Sequence, residues 1–89
     1  MKFVLNKCFG GFSVSDWAVE QLGLKSAYDA EHDDPNLIEL VEKFPDKVSG
    51  RHAELTVVNL PDNCTDYELD DYDGIESITY VVDGKIYHA

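Results

Sequence analysis

Basic residues are scarce in this chain: seven Lys and Arg stand against eighteen Asp and Glu, a formal net charge of −11 over 89 residues. That balance excludes a protein that grips nucleic acid by neutralising phosphates, because duplex affinity comes largely from basic side chains. Cysteine is sparse too. Cys8 and Cys64 lie far apart, form no Cys-x-x-Cys or Cys/His ligand pattern, and read as buried free thiols in a reducing compartment. No apolar run approaches membrane-spanning length, and Phe3, Val4 and Leu5 before Asn6 are too few for the apolar core of a signal peptide. The expectation is no membrane, no export and a cytoplasmic location, so Asn63-Cys64-Thr65 matches the glycosylation acceptor pattern by coincidence.

Catalytic and metal fingerprints are also missing. A Cys8 nucleophile needs a base, and no spacing signature ties His32, His52 or His88 to it. The adjacent acids Asp70 and Asp71 point to opposite faces of a strand. Aligning Gly74 with the invariant glycine of an EF-hand puts Leu69 and Tyr80 where oxygen ligands are needed. His32 reads as a surface histidine in an acidic loop rather than a metal ligand. The chain is therefore expected to be no enzyme, with no cofactor and no metal.

What the chain does contain is enough to fold. It is 44% apolar and 11% aromatic, at a mean hydropathy of −0.29, and its length suits a single domain over 1–89. Phe3 to Cys8 reads as a strand buried on both faces or at the centre of a small sheet. After Phe9-Gly10-Gly11-Phe12, a helix is expected from Asp16 to Leu22, started by Ser13 with Asp16 as a capping box or by Ser15 as an alternative cap. Gly23 suits the left-handed position that ends it, with Leu24 packing back on Val19. Lys25 to Asp34 reads as a solvated loop anchored by Ala27, Tyr28 and Ala30. Asp34-Pro35 then opens a second helix in which Leu37, Leu40, Val41 and Phe44 share a face, ended by Pro45. Asp46 to Arg51 is a connector. His52 to Leu60 follows as a strand with Leu55 and Val57 facing one way, then a half-exposed strand around Tyr67 and Leu69, and Ile75 to Val82 after the turn at Asp73-Gly74. Asp83-Gly84 marks a hairpin to Lys85-Ile86-Tyr87. The fold class is α+β: a small antiparallel or mixed sheet of four to five strands with two helices on one face.

Two candidate sites stand out. Lys7, Gly10, Gly11, Ser13 and Ser15 surround a strand-turn-helix junction whose N–H groups, hydroxyls and ammonium suit a phosphate, with Arg51 and His52 as the other scarce cationic or donor groups. The junction is neither a Walker A loop nor Gly-x-Gly-x-x-Gly, and the alternative is a tight turn whose serines merely cap the helix. The second candidate is the acidic run Asp62, Asp66, Glu68, Asp70, Asp71 and Asp73, which with Asp29, Glu31, Asp33 and Asp34 makes either an extended negative face or simply a solvated one. Tyr80, Val81, Ile86 and Tyr87 on the terminal hairpin offer a homo-oligomer contact, or else belong to the core.

Read in order, KCFGGFSVS, DPNLIELVEKF, SGRHAELTVVNLP and YELDDYDGIE resemble a family of small, mostly uncharacterised proteins common in bacteriophage genomes and prophages. The resemblance covers most of the chain and rests on the N-terminal KC-[FY]-GGF motif and the C-terminal YDG turn. Relatives often carry a longer insertion where this chain has SAYDAEHD, and many end in a basic segment where it has ITYVVDGKIYHA. The resemblance implies a phage setting in the host bacterial cytoplasm and a counter-defence role. The expected partner is a nucleotide-like signalling molecule, sequestered at the Gly-Gly junction by Lys7, Gly10, Gly11, Ser13, Ser15 and Arg51. The alternative is a host defence protein such as a nuclease, whose nucleic-acid site an acidic face of Asp66, Glu68, Asp70, Asp71 and Asp73 occupies by mimicry.

Overall fold

The structure is a computed structural model that describes all residues from Met1 to Ala89. Its class is α+β, with five strands and three helices. In chain order these are β1 (Lys2–Asn6), α1 (Asp16–Leu22), α2 (Pro35–Lys43), α3 (Pro45–Val48), β2 (Leu55–Asn59), β3 (Cys64–Tyr72), β4 (Ile75–Val82) and β5 (Lys85–His88). All strand pairs are antiparallel, but they form two sheets rather than one: β1–β2, and a meander β3–β4–β5.

The division follows from β1. Phe3, Val4 and Leu5 are all buried, and because successive side chains leave a strand on opposite faces, β1 needs cover on both sides. Val4 and, from β2, Leu55 meet Val14, Ala18, Leu37, Val41 and Val48 of the helical layer. Phe3 and Leu5 meet Leu60 and Ile78 on the other side, which brings the meander face to face with β1–β2 instead of extending its edge. The two-stranded sheet is thus the middle of three layers. No helix is long and apolar enough to cross a membrane.

Local chemistry sets the helix ends. Ser15 is the cap of α1, its Oγ accepting from the Ala18 N–H, so the Ser13–Asp16 capping box does not form and the alternative cap does. Ser13 is instead buried. At the other end Gly23 has φ 67°, and the Leu24 N–H donates to the Val19 carbonyl at 3.0 Å, a Schellman closure. The Asp34 carboxylate accepts from the Asn36 N–H at 2.8 Å, with Pro35 as first residue of α2. Pro45 forces Phe44 out of the helical region to φ −133°, so Phe44 leaves the buried stripe of Leu37 and Val41 and packs its ring on Trp17. Pro45 also starts the single turn α3 inside the expected connector, and that turn buries Val48.

In the meander both turns are two-residue turns with positive φ throughout, 52° and 91° at Asp73-Gly74 and 51° and 76° at Asp83-Gly84. That is the type I′ signature, which matches the right-handed twist of the flanking strands. The terminal hairpin divides: Tyr80 is half-buried against the cluster of Phe3, Leu5, Leu60 and Ile78, while Ile86 and Tyr87 are exposed, and the Tyr80 and Tyr87 rings stack on each other at 5.5 Å.

Candidate functional site

At the junction the polar groups are consumed by the fold itself. Asn6 is wholly buried. Its Nδ2 donates to the carbonyls of Cys8 and Gly74, each at 2.6 Å, and its Oδ1 accepts from the Glu54 N–H at 2.8 Å and the Cys8 N–H at 3.2 Å. Its own N–H donates to Glu76 Oε1 at 2.8 Å, while Glu76 Oε2 lies 2.6 Å from His32 Nε2. Lys7 Nζ donates to the Glu76 carbonyl at 3.0 Å. One side chain thus ties the end of β1, the Asp73-Gly74 turn and the approach to β2.

The glycine pair serves the same closure. A Cβ on Gly10 would collide with the His52 backbone, and Gly74 comes so close to Phe9 and Gly11 that a Cβ there would meet their main chain. Gly11 has φ 89°, a left-handed conformation that favours glycine. Lys7, Gly10 and Gly11 line no cavity with the serines. Their expected place in a ligand pocket is taken by contacts with Glu76, His52 and Gly74.

Ser13, Ser15 and Arg51 do come together. They border a cleft of about 430 Å³, with Asp16, Tyr28 and Ser49 among the other lining residues. Three segments distant in sequence are clamped to build it: the Val14 N–H donates to the Ala27 carbonyl at 3.0 Å, the Ser15 N–H to Val48 at 2.7 Å, and the Gly50 N–H to Ser13 at 3.0 Å. A Cβ on Gly50 would overlap Ser13 Oγ and crowd Ser13 Cβ and its carbonyl carbon, so glycine favours this close approach. Ser15 Oγ is occupied, capping α1 and donating to the Lys47 carbonyl. Ser49 Oγ accepts from the Leu55 N–H at 2.9 Å.

Two groups in the cleft have no protein partner. Ser13 Oγ makes no hydrogen bond, and the Arg51 guanidinium, on an exposed residue, forms no ion pair. Tyr28, expected to anchor its loop, is 77% exposed at the rim, while Ala30 does the anchoring at 8% exposed. With Asp16 and Arg51 both in its lining the cleft carries one charge of each sign, a local relief from an otherwise acidic surface. Sequence reasoning missed Tyr28, Asp16 and Ser49. The one signal available was that Tyr28 is the sole Phe, Tyr or Trp between Lys25 and Asp34.

His32 departs from the reading of a solvated histidine. Its ring stacks on Phe12 with centroids 4.0 Å apart, and its Nε2 holds Glu76. The two cysteines are free and half-buried rather than fully buried.

The acidic run divides between faces. Asp66, Glu68 and Asp70 share the outward face of the meander with Thr79, Val81 and Ile86, set by the β3–β4–β5 register. Asp71 points the other way and its Oδ1 accepts from the Gly74 N–H at 2.8 Å, while Asp73 sits in the turn. Asp62 lies 3.5 Å from the N-terminal ammonium, and Asp34 is used as a helix cap. Comparison with family models, curated proteins and solved structures finds no match to this chain.

Proposed function

We propose that this is a non-enzymatic, phage-type counter-defence protein that sequesters a nucleotide-like signalling molecule, with the ligand in the Ser13–Arg51 cleft rather than on the Gly-Gly turn. The observation that carries the reading is the meeting of an unpaired guanidinium, a serine hydroxyl open to solvent and an exposed aromatic ring in one cleft. Its volume of about 430 Å³ falls in the range of small-molecule sites. Each group has a role that nucleotide chemistry asks for. Arg51 offers a forked donor to phosphate oxygens, Ser13 Oγ a further donor, and Asp16 an acceptor for ribose hydroxyls or a base amine. Tyr28 supplies a face on which a base stacks, worth about 1–3 kcal/mol in other nucleic-acid sites.

Calorimetry of the purified protein against cyclic nucleotides and ADP-ribose derivatives tests this. Heat is expected for one of these classes, lost in Arg51→Ala and weakened about tenfold or more in Tyr28→Ala. Uniformly absent heat would sink the reading, as would binding indifferent to Arg51→Ala.

The alternative of an acidic inhibitor that imitates nucleic acid keeps one specific support. Asp66, Glu68 and Asp70 stand on one exposed face at alternate positions, about 7 Å apart by strand geometry. A host nuclease that co-purifies with the wild type and is released by charge reversal at those three residues supports it; unchanged capture removes it.

A further inference from the structure

Independently of the cleft, β3 presents an open sheet edge. It pairs with β4 alone, and every residue from Thr65 to Tyr72 is exposed. The two-residue turn makes Tyr72 and Ile75 a hydrogen-bonded pair, so Glu68 and Asp70, opposite Thr79 and Ser77, aim their main-chain groups at β4. Tyr67, Leu69 and Asp71 therefore aim theirs outward, and none of the three makes a main-chain hydrogen bond outside the ladder. Only the Tyr67 N–H finds a partner, Asp66 Oδ1 at 2.9 Å. The Leu69 and Asp71 N–H groups and three carbonyls remain free.

Edges of this kind are usually blunted by proline, lysine or a bulge. Here the only irregularity is the shift between Cys64 and Asp66 at one end, and β3 contains neither proline nor lysine. What guards the edge is charge. A second copy adding to it would set carboxylates beside carboxylates, which is destabilising across a strand pair. A strand of opposite charge meets no such barrier. From Cys64 to Ala89 there are seven acidic residues and one basic residue, Lys85, which lies on β5 at the far edge.

We propose that the free edge of β3 docks an extended basic segment of a partner protein, which joins the meander as an added antiparallel strand. Lys or Arg at alternate positions of that segment lie against Asp66, Glu68 and Asp70 on the outward face. Apolar residues between them lie beside Tyr67 and Leu69 on the other face, and in antiparallel register their N–H and C=O groups exchange hydrogen bonds with Leu69 and Asp71, while an N–H donates to the Tyr67 carbonyl. Main-chain pairing supplies a ladder, and charge selects the occupant.

The test is fluorescence anisotropy of a labelled peptide of alternating Lys and Val, titrated with the full-length protein at low salt. Binding is expected, and N-methylation of the valines, whose N–H groups face β3, should weaken it at least about tenfold, while N-methylation of the lysines leaves it. Leu69→Pro should weaken it similarly, since it removes an outward donor without costing the β3–β4 ladder a bond. If that variant fails to fold, the methylated peptides on the wild-type protein decide the matter. Absent binding overturns the proposal. So does binding indifferent to valine methylation, which shows attraction by charge alone and leaves the nucleic-acid-mimicking reading standing.

Discussion

The junction around Asn6 and the cleft around Ser13 and Arg51 are neighbours in the chain and opposites in chemistry. In the first, Asn6, Lys7 and Glu76 each bond to other parts of the protein. In the second, Ser13 Oγ and the Arg51 guanidinium bond to nothing. Donors that a fold has used cannot also hold a ligand, and donors it leaves free contribute little to its stability. The comparison therefore assigns stability to one region and binding to the other, and substitutions can break that division.

The largest effect is expected at Asn6. Asn6→Ala removes four side-chain hydrogen bonds and leaves half-buried main-chain groups of Cys8, Glu54 and Gly74 without their partner. A loss of about 3 kcal/mol or more is expected by urea denaturation. A loss below about 1 kcal/mol would show that water replaces the side chain and that the junction is not the stabilising region. Gly10→Ala comes next, at about 2 kcal/mol, because its Cβ meets the backbone of His52 rather than a side chain able to swing away.

How much of this was legible in the sequence depends on the range of the interaction. Ser15, Gly23, Asp34-Pro35 and the Asp83-Gly84 turn act on their own neighbours, and the helix and hairpin bounds follow from them. The run Phe3-Val4-Leu5 points to a strand buried on both faces or central in a sheet, and all three residues are buried, but nothing in the run tells that its cover splits the strands into two sheets. The site was half legible. Scarcity and chemistry single out Arg51 and the serines, and they do meet. Lys7 fits the same criterion, yet its ammonium is drawn to the Glu76 carbonyl, a contact from the residue after β1 to β4 that no local pattern encodes. The period places Phe44 on the face of Leu37 and Val41, and Pro45 overrides the period.

The paired variants Lys7→Met and Arg51→Ala sharpen the comparison. Lys7→Met is expected to cost about 1 kcal/mol, for one half-buried hydrogen bond to a carbonyl, and to leave nucleotide affinity unchanged. Arg51→Ala should change stability by no more than about 0.5 kcal/mol and abolish that affinity. The reverse pattern, with Lys7 controlling affinity and Arg51 stability, would return the site to the Gly-Gly turn.

The smallest effect belongs to a pair outside both regions, on the solvent face of α2. The Lys43 ammonium donates to Glu39 Oε1 at 2.7 Å, one turn apart. That hydrogen bond, reinforced by the opposite charge, holds the Glu39 carboxyl below its ordinary value and Lys43 above its own, against a slight opposing effect of burial. A carboxyl depressed in the folded state contributes stability that is present above its unfolded value and is lost as pH falls through the folded one; the ammonium's share is present below its unfolded value and is lost as pH rises through the raised one. Both side chains are well exposed, so solvent and salt screen the pair and its net stabilisation is slight. The sharper readout is titration of the Glu39 side chain by NMR. Its midpoint should lie below that of an isolated glutamate and move up in Lys43→Met, and a midpoint that ignores Lys43→Met would mean the contact does not persist in solution.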